Sequence, residues 1–147
     1  MTPELDDLYQ ELIVDHSKRP RNFGALAGAT ARAEGYNPLC GDKLTIQLKL
    51  ENDVVTEIGF LGAGCAISTA SASLMTESLK GKTRAEAERI FERFHRLLTA
   101  DEKPADLGKL AVFAGVRAFP VRVKCATLAW HTMRAALREP GAKVSTE

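Results

Sequence analysis

Three cysteines are the residues of this 147-residue chain best placed to do chemistry. Cys40 lies in Asn37-Pro38-Leu39-Cys40-Gly41-Asp42, where Pro38 and Gly41 predict a turn and an exposed thiol. Cys65 follows Gly62-Ala63-Gly64 and opens a predicted helix. The partial positive charge and unpaired N–H groups of a helix N-terminus favour thiolate over thiol there. Cys125 is predicted in the first turn of the last helix, with Lys124 adjacent and Arg122 three residues earlier, and cationic neighbours also favour a thiolate. A single free cysteine reads equally well as a small buried hydrophobe. Three at element junctions, with Asp42 two residues beyond Cys40, read as a reactive or metal-binding set. No Cys-x-x-Cys pair occurs, so the spacing is not that of a zinc finger. Zinc takes four tetrahedral ligands, and cysteine thiolates with one Asp oxygen would fill the set. Such a set carries excess negative charge, which Arg122 and Lys124 could offset; they read equally well as solvated cations at a helix start.

The elements that must position these residues follow from periodicity. Thr2 as N-cap and Pro3 at the first helical position begin an amphipathic helix. Leu5, Leu8, Tyr9, Leu12 and Ile13 carry it to about Ser17. From Lys43 to Glu51, Leu44, Ile46, Leu48 and Leu50 alternate with polar residues. Asn52-Asp53 is a turn signal, and Val54 to Leu61 reads as the return strand, with Val54, Ile58 and Phe60 on one side. Ala29 to Tyr36 is a weaker third, edge strand. Cys65 to Lys80 is a helix of small residues, and Thr83 with Glu86 forms a capping box for a helix to about Leu98. Asp106 to Phe113 reads as a short helix, and Lys124 to Arg138 as the last one, ended by Pro140-Gly141. The expected fold is α+β: a small antiparallel sheet of two or three strands packed against several helices, in a single domain over residues 1–147.

Composition narrows the function classes. Hydrophobic residues at 45% and charged residues at 27% are ordinary for a globular protein and exclude a disordered chain or a disulfide-framed miniprotein. Lys+Arg 20 against Asp+Glu 19 gives a net charge of +1, so no bulk electrostatic case exists for nucleic acid or an anionic membrane. No apolar run approaches a membrane span, and Met1-Thr2-Pro3-Glu4 lacks a signal-peptide pattern. A cytoplasmic protein with reduced cysteines is expected.

The motifs together resemble the SufU branch of the IscU/NifU-like iron–sulfur cluster assembly family, over nearly the whole chain. Tyr9 to His16 with Pro20-Arg21-Asn22-Phe23-Gly24 is similar to the family's opening helix and turn. Asn37 to Asp42, Gly62 to Ser68 with Ala70 to Ser73, and Arg122 to Trp130 are similar to its three cysteine motifs. Two departures from IscU point to SufU: Lys124 stands where IscU has a His, and Ala118-Phe119-Pro120-Val121-Arg122 stands where IscU has its chaperone-binding Leu-Pro-Pro-Val-Lys segment. The stretch between Cys65 and Cys125 is also longer than in IscU by about one helix and loop, supplied by Thr83 to about Lys103.

The resemblance implies a zinc site of Cys40, Asp42, Cys65 and Cys125 and a partner, a SufS-type PLP-dependent cysteine desulfurase. It further implies that a desulfurase His displaces Cys40 from zinc, so that Cys40 accepts persulfide sulfur and stimulates the desulfurase. The expected function is thus a zinc-dependent sulfurtransferase. The alternatives are a scaffold holding a nascent iron–sulfur cluster on Cys40, Cys65 and Cys125, and a module whose zinc is purely structural. Among the remaining candidates, Trp130, Met133 and Leu137 read as core. His16 is expected to interact with the C-terminus of its own helix, His95 to lie at the surface, and His131 to face away from Cys125. Ser68, Ser71 and Ser73 are expected to serve close helix packing.

Overall fold

The computed structural model describes residues 3–100 and 107–145, with side chains from residue 7 onward. Thr2 and Asp106 of the expected elements lie outside these residues, as does the Lys103 end of the expected insertion. Helix α1 spans Pro3–Lys18, followed by strands β1 (Ala31–Asn37), β2 (Asp42–Glu51) and β3 (Val54–Ala63). Helices α2 (Ala66–Leu79) and α3 (Arg84–Thr99) come next, then a 3-10 helix over Gly108–Ala118. Helix α4 (Pro120–Arg138) and the short strand β4 (Lys143–Ser145) are the last elements among the described residues. This is the α+β architecture expected, with one strand more.

The four-stranded sheet has the order β3-β2-β1-β4. β1, β2 and β3 pair antiparallel, whereas β4 pairs parallel to β1. β1 is therefore an interior strand, not the expected edge. Three mainly polar residues of β4 carry no periodic signal, which is why the sequence conceals it. A register shift between Lys49 and Leu50 sets Leu50 opposite Val55. Val55 is consequently buried with Ile58 and Phe60, and Val54, expected on that face, is only half-buried.

One face of the sheet is covered by α4, whose fully buried Trp130 stacks on Phe94 of α3 with ring centroids 4.6 Å apart. Close approach is possible because β1 carries Gly35 there; a Cβ at this position would lie 2.0 Å from Thr132 Oγ1. The small residues of α2 make it a hub, as expected for close helix packing. Ser71 Oγ donates to the Ala126 carbonyl (2.5 Å) and accepts from Trp130 Nε1 (3.1 Å), tying α2 to α4. Ser73 Oγ accepts the Arg21 N–H at 2.8 Å and bonds His16 Nδ1 at 2.6 Å, tying α1 to α2. His16 is fully buried and lies 3.5 Å from Glu77, so it is a cross-helix fastener and not a cap on its own helix. Burial wins because α1 has to bury its inner face, and the Ser73 hydroxyl supplies a partner within reach.

The capping box of Thr83 and Glu86 opens α3. Arg84 reaches the Leu137 carbonyl, and Arg138 pairs with Glu88 at 2.6 Å, fixing α3 to α4. Between the two helices, Phe91 stacks with His95 and meets His131 edge-on, while the Arg134 guanidinium lies 4.2 Å over its ring. His95, expected at the surface, is half-buried there, partly covered by Phe91. Burial, with His95 and Arg134 nearby, lowers His131 from 6.5 to about 4. Burial also lowers His16, reinforced by Arg21 and opposed by Glu77 and Asp15.

These shifts carry a sign. At His131 the unfolded chain takes up its proton from about pH 6.5 downward while the folded chain resists it until near pH 4, and His16 acts in the same direction. Stability is complete above the unfolded value and is lost as pH falls through that window. Urea unfolding of the metal-free protein at a series of pH values should give midpoints that fall across it. His131→Gln, which cannot charge, should flatten the fall; an unchanged slope would contradict this assignment.

Candidate metal centre

The hairpin of β1 and β2 builds the first part of the site. Asn37 and Asp42 are cross-strand partners at its end, and Pro38 to Gly41 form the connecting loop. Gly41 has φ +70°, the left-handed conformation a tight turn requires. Cys40 is exposed on that loop, as expected. Asp42, the first residue of β2, is fully buried.

Cys65 is the N-cap of α2, half-buried, and its Sγ accepts the Ser68 N–H at 3.4 Å. Its own N–H donates to Asp42 Oδ1 at 2.8 Å. The turn before it needs glycine: a Cβ on Gly64 would stand 2.9 Å from Asp42 Oδ1 and 3.1 Å from Ser68 Oγ.

Cys125 departs from expectation. α4 begins at Pro120, not near Lys124, with proline at the first position where its missing N–H costs nothing. Cys125 therefore sits in the second turn and is only 2% exposed. Burial pushes its thiol up, and hydrogen bonding to Cys40 and Cys65 adds to this. The Arg122 guanidinium lies 4.6 Å over the Phe119 ring, and the described contacts of Cys125 include neither Arg122 nor Lys124.

The four expected residues nevertheless come together. Cys40 and Cys125 Sγ are 3.0 Å apart, well beyond the roughly 2.05 Å of a disulfide. One ligand atom each from Cys40, Asp42 and Cys125 lies within 4.8 Å of the others. Cys65 Sγ lies 3.9 Å from Asp42 Oδ2. His131, as expected, is elsewhere, against Phe91. Sequence reasoning missed Asn37 as a member of the site. It is fully buried, and its Nδ2 lies 3.4 Å from both Asp42 Oδ2 and Cys125 Sγ. Its place three residues before Cys40, beside a proline, was the available signal.

The donor set fits a thiophilic cation. Two to three soft sulfurs and one carboxylate converge, and Ser68 Oγ beside them is buried with no hydrogen-bond partner among the described residues. Burying this many acidic groups together is costly unless they are protonated or neutralised by a positive ion.

Comparison with known proteins identifies the constellation. The family model of the NifU-like N-terminal domain matches residues 8–126. The chain belongs to the NifU-like family, which includes IscU and SufU. It is 41% identical over 137 residues to the iron–sulfur cluster assembly scaffold protein IscU of Streptococcus pyogenes, covering 92% of this chain and 86% of that protein. It is also 41% identical over 131 residues to the zinc-dependent sulfurtransferase SufU of Bacillus subtilis, covering 88% of each. A crystal structure of a SufU from Fervidobacterium islandicum, titled a putative assembly scaffold for the SUF system, superposes with a TM-score of 0.83 at 33% identity. That match covers 92% of this chain and 99% of the other. A NifU-like N-terminal protein from Brucella abortus gives 0.80 at 28% identity, covering 91% and 94%. NifU-like members named as scaffold and as sulfurtransferase are thus equally similar to this chain.

Proposed function

We propose that this NifU-like protein is a zinc-dependent sulfurtransferase of iron–sulfur cluster assembly, of the SufU type, that accepts sulfur on Cys40 from a PLP-dependent cysteine desulfurase. The observation that carries the reading is the asymmetry of the cysteines. Cys40 is exposed on a hairpin loop, whereas Cys65 and Cys125 are half-buried and buried on helices. One thiol can meet a partner's sulfur; the other two are fixed in the fold. The added helix between Cys65 and Cys125, α3, and the replacement of IscU's His by Lys124 also favour the SufU type.

Cys40, Asp42, Cys65 and Cys125 would hold the zinc. The ion would act as a Lewis acid that keeps the clustered thiols deprotonated at neutral pH. The transfer itself is thiol exchange at sulfur. The Cys40 thiolate attacks the outer sulfur of the desulfurase cysteine persulfide, and a new S–S bond forms as the old one breaks. The desulfurase cysteine leaves with the electron pair as a thiolate, and Cys40 carries the persulfide, with no net oxidation. Leu39, 59% exposed beside Cys40, and Phe119 and Val121 at the start of α4 offer apolar surface for the docked enzyme.

A second reading, a scaffold for the nascent cluster, rests on the same convergence of thiols and on the IscU-named relative. Elemental analysis and the visible spectrum separate the two: stoichiometric zinc in a colourless protein supports the carrier, and iron with labile sulfide in a brown protein supports the scaffold. A purely structural zinc predicts no change in desulfurase turnover when the protein is added; the carrier predicts stimulation.

Asp42→Ala is expected to loosen zinc without removing a sulfur, with water completing the tetrahedron. It also strands the Cys65 N–H that Asp42 Oδ1 accepts. Chelator competition should therefore release zinc from this variant sooner than from the parent, and equal retention would remove Asp42 from the ligand set.

A further inference from the structure

We propose that Asn37 is a positioning residue for the metal centre: its carboxamide fastens Asp42, Cys125 and the Cys40 loop to one another. This rests on the metal reading above. Asn37 closes β1 directly opposite Asp42, which opens β2. Its side chain is fully buried, so each of its polar atoms needs a partner. The Leu39 N–H can only donate, and Asn37 Oδ1 accepts it at 3.3 Å. That contact sets the orientation of the amide and leaves Nδ2 to face the acceptors. Nδ2 has two N–H hydrogens and two acceptors within reach, Asp42 Oδ2 and Cys125 Sγ, each at 3.4 Å.

The arrangement answers the charge question that Arg122 and Lys124 leave open. Neutral N–H dipoles surround the acidic cluster: Asn37 Nδ2 on Asp42 and Cys125, the Cys65 N–H on Asp42, and the Ser68 N–H on Cys65. A dipole orients a carboxylate or thiolate without competing with a metal for it, as a salt-bridged lysine would. Asn37 also divides the site. Asp42 and Cys125 are held against β1, while Cys40 Sγ is held, among the described contacts, only by Cys125 Sγ. Movement of Cys40 toward a partner can then be confined to the part of the loop beyond Leu39, whose N–H Asn37 holds, while Asn37 and Asp42 keep the strand ends paired.

Three variants test this. Asn37→Leu keeps much of the volume and removes both polar groups. Asn37→Asp keeps an acceptor for the Leu39 N–H but turns an acceptor toward Asp42 and Cys125. Asn37→Ser retains a hydroxyl too short to span all three partners, and decides the matter should the leucine variant misfold. Each is loaded with cobalt(II) and with zinc; affinity is read by chelator competition, coordination by the cobalt absorption spectrum, and stability by melting with and without zinc.

Loss of groups that orient metal ligands should weaken affinity by about 10–100-fold. It should also alter the cobalt bands and shrink the rise in melting temperature that zinc produces. A merely structural Asn37 would lower the metal-free and zinc-loaded melting temperatures together, leaving affinity and cobalt spectrum as in the parent; that result overturns the proposal. A parent protein that takes up neither ion overturns the metal reading first and this role with it, whereas a parent that binds while all three variants bind equally overturns the role of Asn37 alone.

Discussion

Cys40→Ser is expected to abolish both sulfur acceptance and stimulation of a cysteine desulfurase, while the fold stays intact. Cys40 is exposed, so in the metal-free protein the exchange of sulfur for oxygen should shift stability by no more than about 0.5 kcal/mol. A serine hydroxyl is essentially un-ionised at neutral pH and cannot take a sulfane sulfur by thiol exchange, so the residual rate should equal that of the desulfurase alone. Cys125→Ser should behave differently. Its sulfur is buried and in contact with Asn37 and Cys40, so a hydroxyl there disturbs packing and metal binding together. Desulfurase turnover, with urea unfolding of the metal-free forms, separates the two: a loss of turnover with an unchanged metal-free unfolding midpoint belongs to Cys40 alone. Full stimulation by Cys40→Ser would remove it as acceptor.

Removal of zinc is expected to cost a large part of the stability. The proposed ligands come from the β1–β2 loop, the first residue of β2, the start of α2 and the second turn of α4, segments far apart in the chain. A metal bound only by the folded state stabilises it by mass action, about 4 kcal/mol when free zinc is a thousandfold above Kd. At about 2–4 °C per kcal/mol for a domain of this size, chelation should lower Tm by roughly 8–16 °C. Differential scanning calorimetry before and after verified metal removal reads this, and restored zinc should recover the loss. An unchanged Tm would mean that no such clamp exists.

The parts of the fold that were legible from the residues are those whose pattern and packing agree. Leu44, Ile46 and Leu48 alternate and are all buried, so β2 could be read directly. Thr83 and Glu86 announce α3 because a capping box is a local device. The start of α4 was hidden because Phe119 caps it without a side-chain hydrogen bond, leaving Pro120 as the lone marker. That displacement of a turn moves Cys125 from a favourable helix end into the core, where burial raises its thiol. β4 has no pattern of its own and exists through pairing with β1. At the site, the three cysteines and Asp42 stood out by type and junction position. Asn37 did not, because an asparagine next to a proline reads as turn chemistry until the fold buries it against Asp42 and Cys125. His16 likewise reads as belonging to its own helix, because its partner, Ser73, lies 57 positions away.

The central claim is that sulfur arrives on Cys40. The most direct measurement incubates the wild-type protein with desulfurase and cysteine, then maps persulfide by mass spectrometry under non-reducing conditions. Persulfide on the peptide bearing Cys40, with Cys65 and Cys125 unmodified, is the predicted result. Persulfide on Cys65 or Cys125 with none on Cys40, or none on any cysteine while the desulfurase turns over, would contradict it.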